Sequence, residues 1–174
     1  LWNAVSAGAG TRYQPSKGAD LYRKSMYTYW KRAVNPPRQI IFDAGGREVC
    51  LVNTRRTNTP LQALALMNDV TFVESARHVA ERVLTNADLK TDAEKIGHTY
   101  KLVTSREVRP EQVKILSDNL SFFREHFSKN QEGATKFLSA GESKKNETLD
   151  VTEHAAWASV AHLVLNLDET ITLE

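Results

Sequence analysis

The 174-residue sequence contains a single cysteine, Cys50. One thiol excludes an intrachain disulfide, a multi-cysteine zinc site and a C-x-x-C-H haem attachment within these residues. The apolar neighbours Val49 and Leu51 favour Cys50 as an inert side chain packed against apolar surface. The alternative, a reactive thiolate, requires positive charge from the nearby arginines. No apolar run approaches the roughly 18 residues that a membrane-spanning helix needs.

The chain also lacks a large net charge of either sign. Lys and Arg number 23 and Asp and Glu number 21, so the formal net charge is +2. This balance argues against a dedicated nucleic-acid binder, which usually carries a clear basic excess. Residues 22–32 alternate aromatic and basic side chains, a pattern more typical of an amphipathic helix than of a nucleotide-stacking surface. With 41% hydrophobic and 25% charged residues, the chain is expected to fold as a globular protein.

Familiar catalytic and metal-binding motifs are missing as well. The sequence has no G-x-S-x-G, P-loop or G-x-G-x-x-G motif. Its five histidines form no H-E-x-x-H pair, and His154 and His162 lie about 12 Å apart along one predicted helix, too far to share a metal ion. We therefore predict no metal site and interpret the histidines as surface or helix-end residues. Ligation completed from elsewhere in the fold is the alternative.

Helical signals are dense from Thr59 onward. The string Thr59-Pro60-Leu61-Gln62 combines a capping residue, a proline at the first helical position and a glutamine three residues after the cap. Further start signals precede apolar residues at three- and four-residue spacing along the chain. They are a cap at Asn68-Asp69, a capping box at Thr91–Glu94, Pro110, and a cap at Asp150 with Glu153. They predict helices over about 61–68, 70–84, 92–103, 110–127, 132–140 and 151–165.

Two of these helices carry more detailed predictions. In the second, the apolar stripe over Val73–Val83 is expected to face the core, with Glu74, Arg77, Glu81 and Arg82 largely outside it. The last helix is apolar around most of its circumference and is expected to be the most buried element. The polar link 141–148 is expected to be mobile.

The N-terminal part of the chain has a different composition. Residues 1–20 are rich in Gly, Ala, Ser and Pro and are expected to form a loop, followed by a short helix over about 21–33 that Pro36-Pro37 ends. Residues 38–58 look irregular. The predicted fold is therefore a single all-α domain, 1–174, with a loop-rich segment 1–58 and a bundle of about six helices over 59–174. The chain begins without Met, and we expect it to be a fragment of a larger protein.

The densest group of polar residues lies just ahead of the first strong helix start. Arginines beside carboxylates can bind a carboxylated or sulfated ligand through paired hydrogen bonds, with the helix N-terminus adding donors. The same side chains can instead form a network that holds an irregular segment against the bundle. We favour the network and keep the ligand site as the alternative. The group comprises Asp43, Arg47, Glu48, Arg55, Arg56, Asn58 and Thr59.

Several strings in the chain resemble one protein family. They are Leu21–Arg32, Phe42–Ala44, Arg47–Cys50, the R-T-N-T-P-L-Q-A-L string Arg56–Leu64, Asn68-Asp69, Phe72–Arg77 and Leu165–Thr170. Together they resemble the C-terminal domain of planctomycete cytochrome-c-like multidomain proteins, the domain of unknown function 1553. The resemblance implies that the chain is the C-terminal part of a larger family domain. It also implies an extracytoplasmic location, periplasmic or secreted. It also implies haem c in a separate module of the parent protein, and sometimes a carbohydrate-binding-like insert. It provides no catalytic residues, because no activity is established for this domain.

Two functional hypotheses follow from these observations. The first is a non-catalytic helical docking or structural module of an exported, cytochrome-c-associated multidomain protein. Its partners would be the other domains of the same polypeptide and, as a further candidate, carbohydrate, and the chain itself would hold no cofactor. The alternative is part of an extracytoplasmic oxidoreductase or carbohydrate-acting enzyme whose site is shared with other domains. Nucleic-acid binding through residues 22–32 ranks last.

Overall fold

The computed structural model describes residues 16–27, 35–45, 50, 52 and 57–172. Within those residues the chain forms helices and turns and no strand, which confirms the predicted all-α class. Two 3₁₀ turns come first, Gly18–Tyr22 and Ser25–Tyr27. The α-helices are α1 (Pro37–Ile41), α2 (Pro60–Asn68), α3 (Val70–Leu84), α4 (Asp92–Thr104), α5 (Pro110–Lys129), α6 (Gln131–Leu138), α7 (Val151–Leu165) and α8 (Asp168–Ile171). No helix of the described part is long and apolar enough to cross a bilayer.

The chain divides into two compact units, residues 1–62 and 63–174. In the first unit the predicted helix over 21–33 is not formed in its described part, where two short 3₁₀ turns occur instead. Arg23 between the turns has an extended backbone, and the side chains described there are exposed. A helix that buries no face has little to stabilise it beyond its first turn. Residues 28–34 lie outside the described residues.

The five-residue helix α1 was not expected from the sequence, which looked irregular there. It begins directly after Pro36, and Pro37 stands in its first turn, where a residue without a backbone N–H loses no intrahelical bond. The helix ends at Phe42 and Asp43, whose φ of 57° places it in the left-handed region. Aspartate tolerates that conformation better than most residues, so it can end a helix without glycine.

The second unit is built around α7. This helix packs against α3, α4, α5 and α6, and every residue from His154 to Ala161 is buried. Its alanines let the neighbouring helices approach closely, while Trp157 fills the largest space in the core. The prediction that the last long helix is the most buried element is confirmed. Each fully buried large apolar side chain contributes about 1.5–3 kcal/mol to folding. The main ones packed with α7 are Val83, Ile96, Tyr100, Leu120 and Leu138.

The helix starts of the second unit follow the predicted capping signals. Asp69 accepts a hydrogen bond from Thr71 N at 2.9 Å, and Asp150 accepts one from Glu153 N at 2.8 Å. Thr91 and Glu94 form the predicted capping box at the start of α4. Each of these caps contributes about 1 kcal/mol, so the local sequence fixes where the helices begin.

Arg124 joins the starts of two helices. Its Nη1 donates to Asp92 Oδ2 at 2.6 Å and its Nε donates to Glu153 Oε2 at 2.8 Å. Glu153 also accepts a hydrogen bond from Trp157 Nε1 at 2.9 Å. The hydrogen bond from Arg124 lowers the pKa of Asp92, since it stabilises the charged carboxylate. One guanidinium on α5 therefore holds the N-termini of α4 and α7 in place.

Candidate functional site

A polar network around Gln62 occupies the predicted site region of the first unit. Gln62 is 1% exposed, and its Nε2 donates to the carbonyl of Ile41 at 2.9 Å and to Thr57 Oγ1 at 3.2 Å. Its Oε1 accepts a hydrogen bond from Thr59 N at 2.7 Å, while Thr59 Oγ1 accepts one from Gln62 N at 3.3 Å. This reciprocal pair is the capping box that the sequence predicts for the start of α2.

Asp43 completes this network from the end of α1. Its Oδ2 accepts hydrogen bonds from Thr57 N at 3.1 Å and from the Thr57 hydroxyl at 2.5 Å. Hydrogen bonds to a carboxylate are about twice as strong as neutral ones. The turn after α1 is thus linked through Thr57 to the first turn of α2. We refer to Asp43, Thr57, Thr59 and Gln62 as the Gln62 network.

The structure brings together only part of the predicted polar group. Asp43 and Thr59 belong to the Gln62 network, and Asn58 is exposed beside it. Arg47, Glu48, Arg55 and Arg56 lie outside the described residues, so a ligand site formed by all seven stays a prediction. Thr57 and the tertiary contacts of Gln62 were not predicted, although both residues stand in the distinctive R-T-N-T-P-L-Q string.

Cys50 differs from its prediction. Its side chain is exposed, so the expectation that it packs against apolar surface is wrong. Val49 and Leu51, on which that expectation rested, lie outside the described residues. Two neighbours in sequence do not make a buried environment, because burial depends on what the fold places over them.

A second polar cluster lies inside the second unit, on a face of α3 that the sequence analysis placed outside the core. Glu74 is 5% and Arg77 is 2% exposed, so the prediction that they lie outside the buried stripe is wrong for both. Arg77 Nη1 donates to the carbonyl of Leu138 at 2.8 Å, and Nη2 donates to the carbonyl of Ser143 at 2.9 Å. The buried guanidinium is stabilised because it binds backbone carbonyls at and beyond the end of α6.

The polar link 141–148, which the sequence predicts to be mobile, is hydrogen-bonded to this cluster. Ser143 N donates to Glu74 Oε1 at 2.7 Å, and Asn146 N donates to Glu81 Oε1 at 3.1 Å. Glu74 and Glu81 also flank Arg77, with N–O distances of 3.6 Å and 3.8 Å. Two carboxylates of α3 therefore bind the backbone of a segment more than sixty residues away in sequence.

Two histidines complete the cluster. His78 Nδ1 lies 2.9 Å from Glu81 Oε2, and His78 Nε2 lies 2.7 Å from Ser143 Oγ. His154 is 1% exposed, so its prediction as a surface or helix-end residue is wrong. Burial lowers the pKa of His154, since the protonated form loses its hydration. We call Glu74, Arg77, His78, Glu81, Ser143 and His154 the α3 polar cluster.

A small cavity of about 150 Å³ lies beside His154. Lys145, Asn146 and Glu147 of the 141–148 segment form its polar wall, and Leu138, Leu149 and Val151 form its apolar wall. Among the residues that the structure describes, no three His, Cys, Asp or Glu side chains are grouped so that they would hold a metal ion. The contacts within the α3 polar cluster are ion pairs and hydrogen bonds between protein groups.

One sequence signal pointed to the α3 polar cluster. Glu74, Arg77, His78 and Glu81 have the spacing i, i+3, i+4 and i+7, which places all four on one side of a helix. A polar side of this kind is usually solvated. Glu74 and Arg77 are nevertheless buried, and both contact the 141–148 segment, which is not visible in the sequence of α3 itself.

In the part of the chain that the structure describes, these features define a helical protein with buried polar networks at the start of α2 and beneath the 141–148 segment. A family model described as PSD1, a protein of unknown function (DUF1553), matches residues 4–120. The match covers more than half of the sequence, and the chain belongs to this family. The resemblance to domain 1553 is thereby confirmed. No curated protein and no solved structure matches the chain.

Proposed function

We propose that this chain is a non-catalytic helical docking or structural module of an exported, cytochrome-c-associated multidomain protein. The observation that carries the proposal is a row of aliphatic side chains along α2 and at the first position of α3. Leu64, Met67 and Val70, all in the second unit, follow one another at three-residue steps, and each is more than half exposed. Large apolar side chains exposed close together in sequence are typical of interaction sites in soluble proteins.

The Gln62 network supports a docking role for this row. Gln62 lies one position beyond Leu61 on α2 but is buried, and its hydrogen bonds fix the first turn of the helix. A helix held at its N-terminus presents an exposed face in a defined orientation, which lowers the entropy lost on binding. The Asp43 carboxylate also helps to fix the start of α2, because it accepts a hydrogen bond from the backbone of Thr57.

The proposed partners are the other domains of the same polypeptide. The family resemblance implies a haem c module and a second uncharacterised domain in such proteins, and a periplasmic or secreted location, and these expectations support the choice of partner. An aliphatic row suits a partner surface that is itself apolar, as in the interfaces between domains of one chain. Carbohydrate remains a further candidate partner.

Radical footprinting of the full-length protein tests this proposal, because the chain offers an exposed methionine inside the row and one outside it. Met67 and Met26 are both more than half exposed in the structure. Docking of the row predicts that Met67 is oxidised several-fold more slowly than Met26 in the full-length protein. Leu64→Gln should raise the oxidation rate of Met67, and Ile115→Gln, an exposed position on α5, should leave it unchanged.

Equal oxidation rates of the two methionines would contradict the docking role. The enzymatic alternative makes a separate prediction at Arg56. If Arg56→Ala abolishes turnover of the full-length protein while its melting temperature is unchanged, the polar group belongs to a shared active site. A lower melting temperature without another defect supports the scaffold role.

A further inference from the structure

We propose that the solvent-exposed side of α5 is a self-association surface, on which a second copy of this chain packs its own α5 in the opposite direction. This surface lies on a different helix from the aliphatic row of α2 and α3. Its side chains recur at three- and four-residue steps, which places them on one side of the helix. All of them are exposed, and we call them the α5 face: Glu111, Lys114, Ile115, Asp118, Phe122, Glu125 and Lys129.

Two large apolar side chains form the centre of the α5 face. Ile115 and Phe122 are exposed to 59% and 61%, more than any other large apolar residue described in the second unit. They are two helical turns apart, about 10.5 Å along the axis. The ring of Phe122 has neighbours on its own helix, with ring centroids 5.6 Å from Phe123 and 6.2 Å from His126. A ring restrained in this way loses little entropy when a partner covers it.

The spacing of these two side chains fits an antiparallel pair of α5 helices. A two-fold axis between positions 118 and 119 places Ile115 of each copy against Phe122 of the other. Four apolar side chains are then removed from water together, which favours association. A two-fold interface uses the same patch on both copies, so the α5 face needs no second surface elsewhere on the chain.

The charges on both sides of this apolar centre suit the same pairing. The first half of the α5 face carries Glu111 and Lys114, and the second half carries Glu125 and Lys129. In the antiparallel pair, Lys114 lies about 3 Å along the axis from Glu125 of the second copy, and Glu111 lies about 4.5 Å from its Lys129. Side chains of this length form ion pairs across such offsets. A parallel pair in register would instead place like charges opposite each other, which is unfavourable.

The charged groups of the α5 face can form these pairs. Among the residues that the structure describes, neither Glu111 nor Lys114 forms an ion pair within the chain. Lys129 pairs with Glu125 at 2.6 Å, and its ammonium group has further hydrogens with which to bind a second carboxylate. Asp118 opposes association, because its two copies face each other beside the two-fold axis with like charge.

Sedimentation equilibrium of the protein from about 10 to about 500 µM tests the proposal. Two single helices bury less area than a stable dimer, so we expect a reversible monomer–dimer equilibrium with a dissociation constant on the order of 0.1 mM. Phe122→Ser should lower the association constant about tenfold or more, because it removes an apolar contact from each half of the interface. Leu64→Gln, which changes the aliphatic row of α2, should leave the association constant unchanged.

Charge reversal tests the antiparallel arrangement itself. Lys114→Glu and Glu125→Lys should each lower the association constant about tenfold, because each places like charges opposite one another in both halves of the interface. An equimolar mixture of the two variants should regain the dimer, since every facing pair then again joins an acid and a base. Asp118→Asn should raise the association constant about twofold, because it removes the repulsion at the axis.

Three results would overturn the proposal. The first is a protein that stays monomeric over the whole concentration range. The second is a dimer that Leu64→Gln abolishes and Phe122→Ser leaves intact, since the aliphatic row would then be the interface. The third is a mixture of the two charge-reversed variants that associates no better than either variant alone, although both keep the melting temperature of the unmodified protein.

Discussion

Gly141 lies directly against the side chain of Glu74. A Cβ atom at position 141 would stand 2.7 Å from Glu74 Cγ and closer still to its carboxyl carbon, and the φ of Gly141 is +97°. Both the backbone conformation and the close approach therefore require glycine. The contact explains how Ser143, two residues later, reaches the Glu74 carboxylate.

Gly141→Ala is expected to destabilise the protein by about 2 kcal/mol, because it strains the backbone and displaces Glu74 from Arg77 and Ser143. The free energy of unfolding in urea measures this loss. Gly97→Ala is the matched control. It lies inside α4 with only Val108 Cγ1 at 3.6 Å from the added atom, and it should stabilise by about 0.5–1 kcal/mol. Equal effects of the two substitutions would contradict the assigned role of Gly141.

Arg124→Ala is expected to lower the free energy of unfolding by about 1–2 kcal/mol, since it leaves two carboxylates without their shared partner. Trp157 fluorescence during urea unfolding reports the change, because its Nε1 binds Glu153. Lys129→Ala is the control. Its exposed pair with Glu125 at 2.6 Å should contribute only about 0.3–0.5 kcal/mol. A loss at Arg124 no larger than that at Lys129 would show that the guanidinium does not join the helices.

Because His154 is buried, we expect the free energy of unfolding to decrease in acid. Its pKa is lowered from 6.5 in the folded protein, so the unfolded chain binds more protons below that pH. The contribution of neutral His154 is complete above about pH 6.5 and is lost as the pH falls toward the folded-state pKa. The loss amounts to at most about 1.4 kcal/mol per pH unit.

Urea unfolding between pH 5 and 8 measures this effect as the difference between the unmodified protein and His154→Gln. The unmodified protein should lose more stability toward pH 5 than the variant. His126→Gln should follow the unmodified protein throughout, because His126 is exposed. Parallel curves for His154→Gln and the unmodified protein would mean that this histidine is protonated equally in both states.

Gln62→Ala is expected to destabilise the first unit by about 1–2 kcal/mol, because it removes half of the capping box and leaves the Ile41 carbonyl without its donor. Faster hydrogen exchange at Thr57 and Thr59 would reveal the loss. Asn68→Ala on the same helix removes only an exposed bond to the Leu64 carbonyl and should have little effect. Unchanged exchange in Gln62→Ala would show that the network does not hold the start of α2.

The elements that could be predicted from the sequence are those with local causes. The starts of α2, α4 and α7 follow from capping residues within four positions of one another, and the burial of α7 follows from its own composition. The burial of Arg77 could not be predicted in this way. Its partners Leu138 and Ser143 lie 61 and 66 residues away, and a helical periodicity contains no information about them.

In the candidate site, too, the contacts with a local cause could be predicted and the tertiary contacts could not. The sequence string Thr59–Gln62 predicts the capping box, but the bond from Gln62 to Ile41 depends on how the turn after α1 approaches α2. The helix predicted over 21–33 failed in its described part because periodic apolar residues stabilise a helix only when a partner surface covers them.

The central position of α7 affects how the protein folds during its synthesis. A ribosome delivers the chain from its N-terminus, and Ala80, Ile96 and Leu120 emerge before the helix that covers them. Until α7 has been synthesised, these apolar side chains lack the helix that covers them. Unfinished chains that expose apolar surface are prone to aggregate, so a stop codon before Val151 should yield an aggregating product and not a smaller folded one.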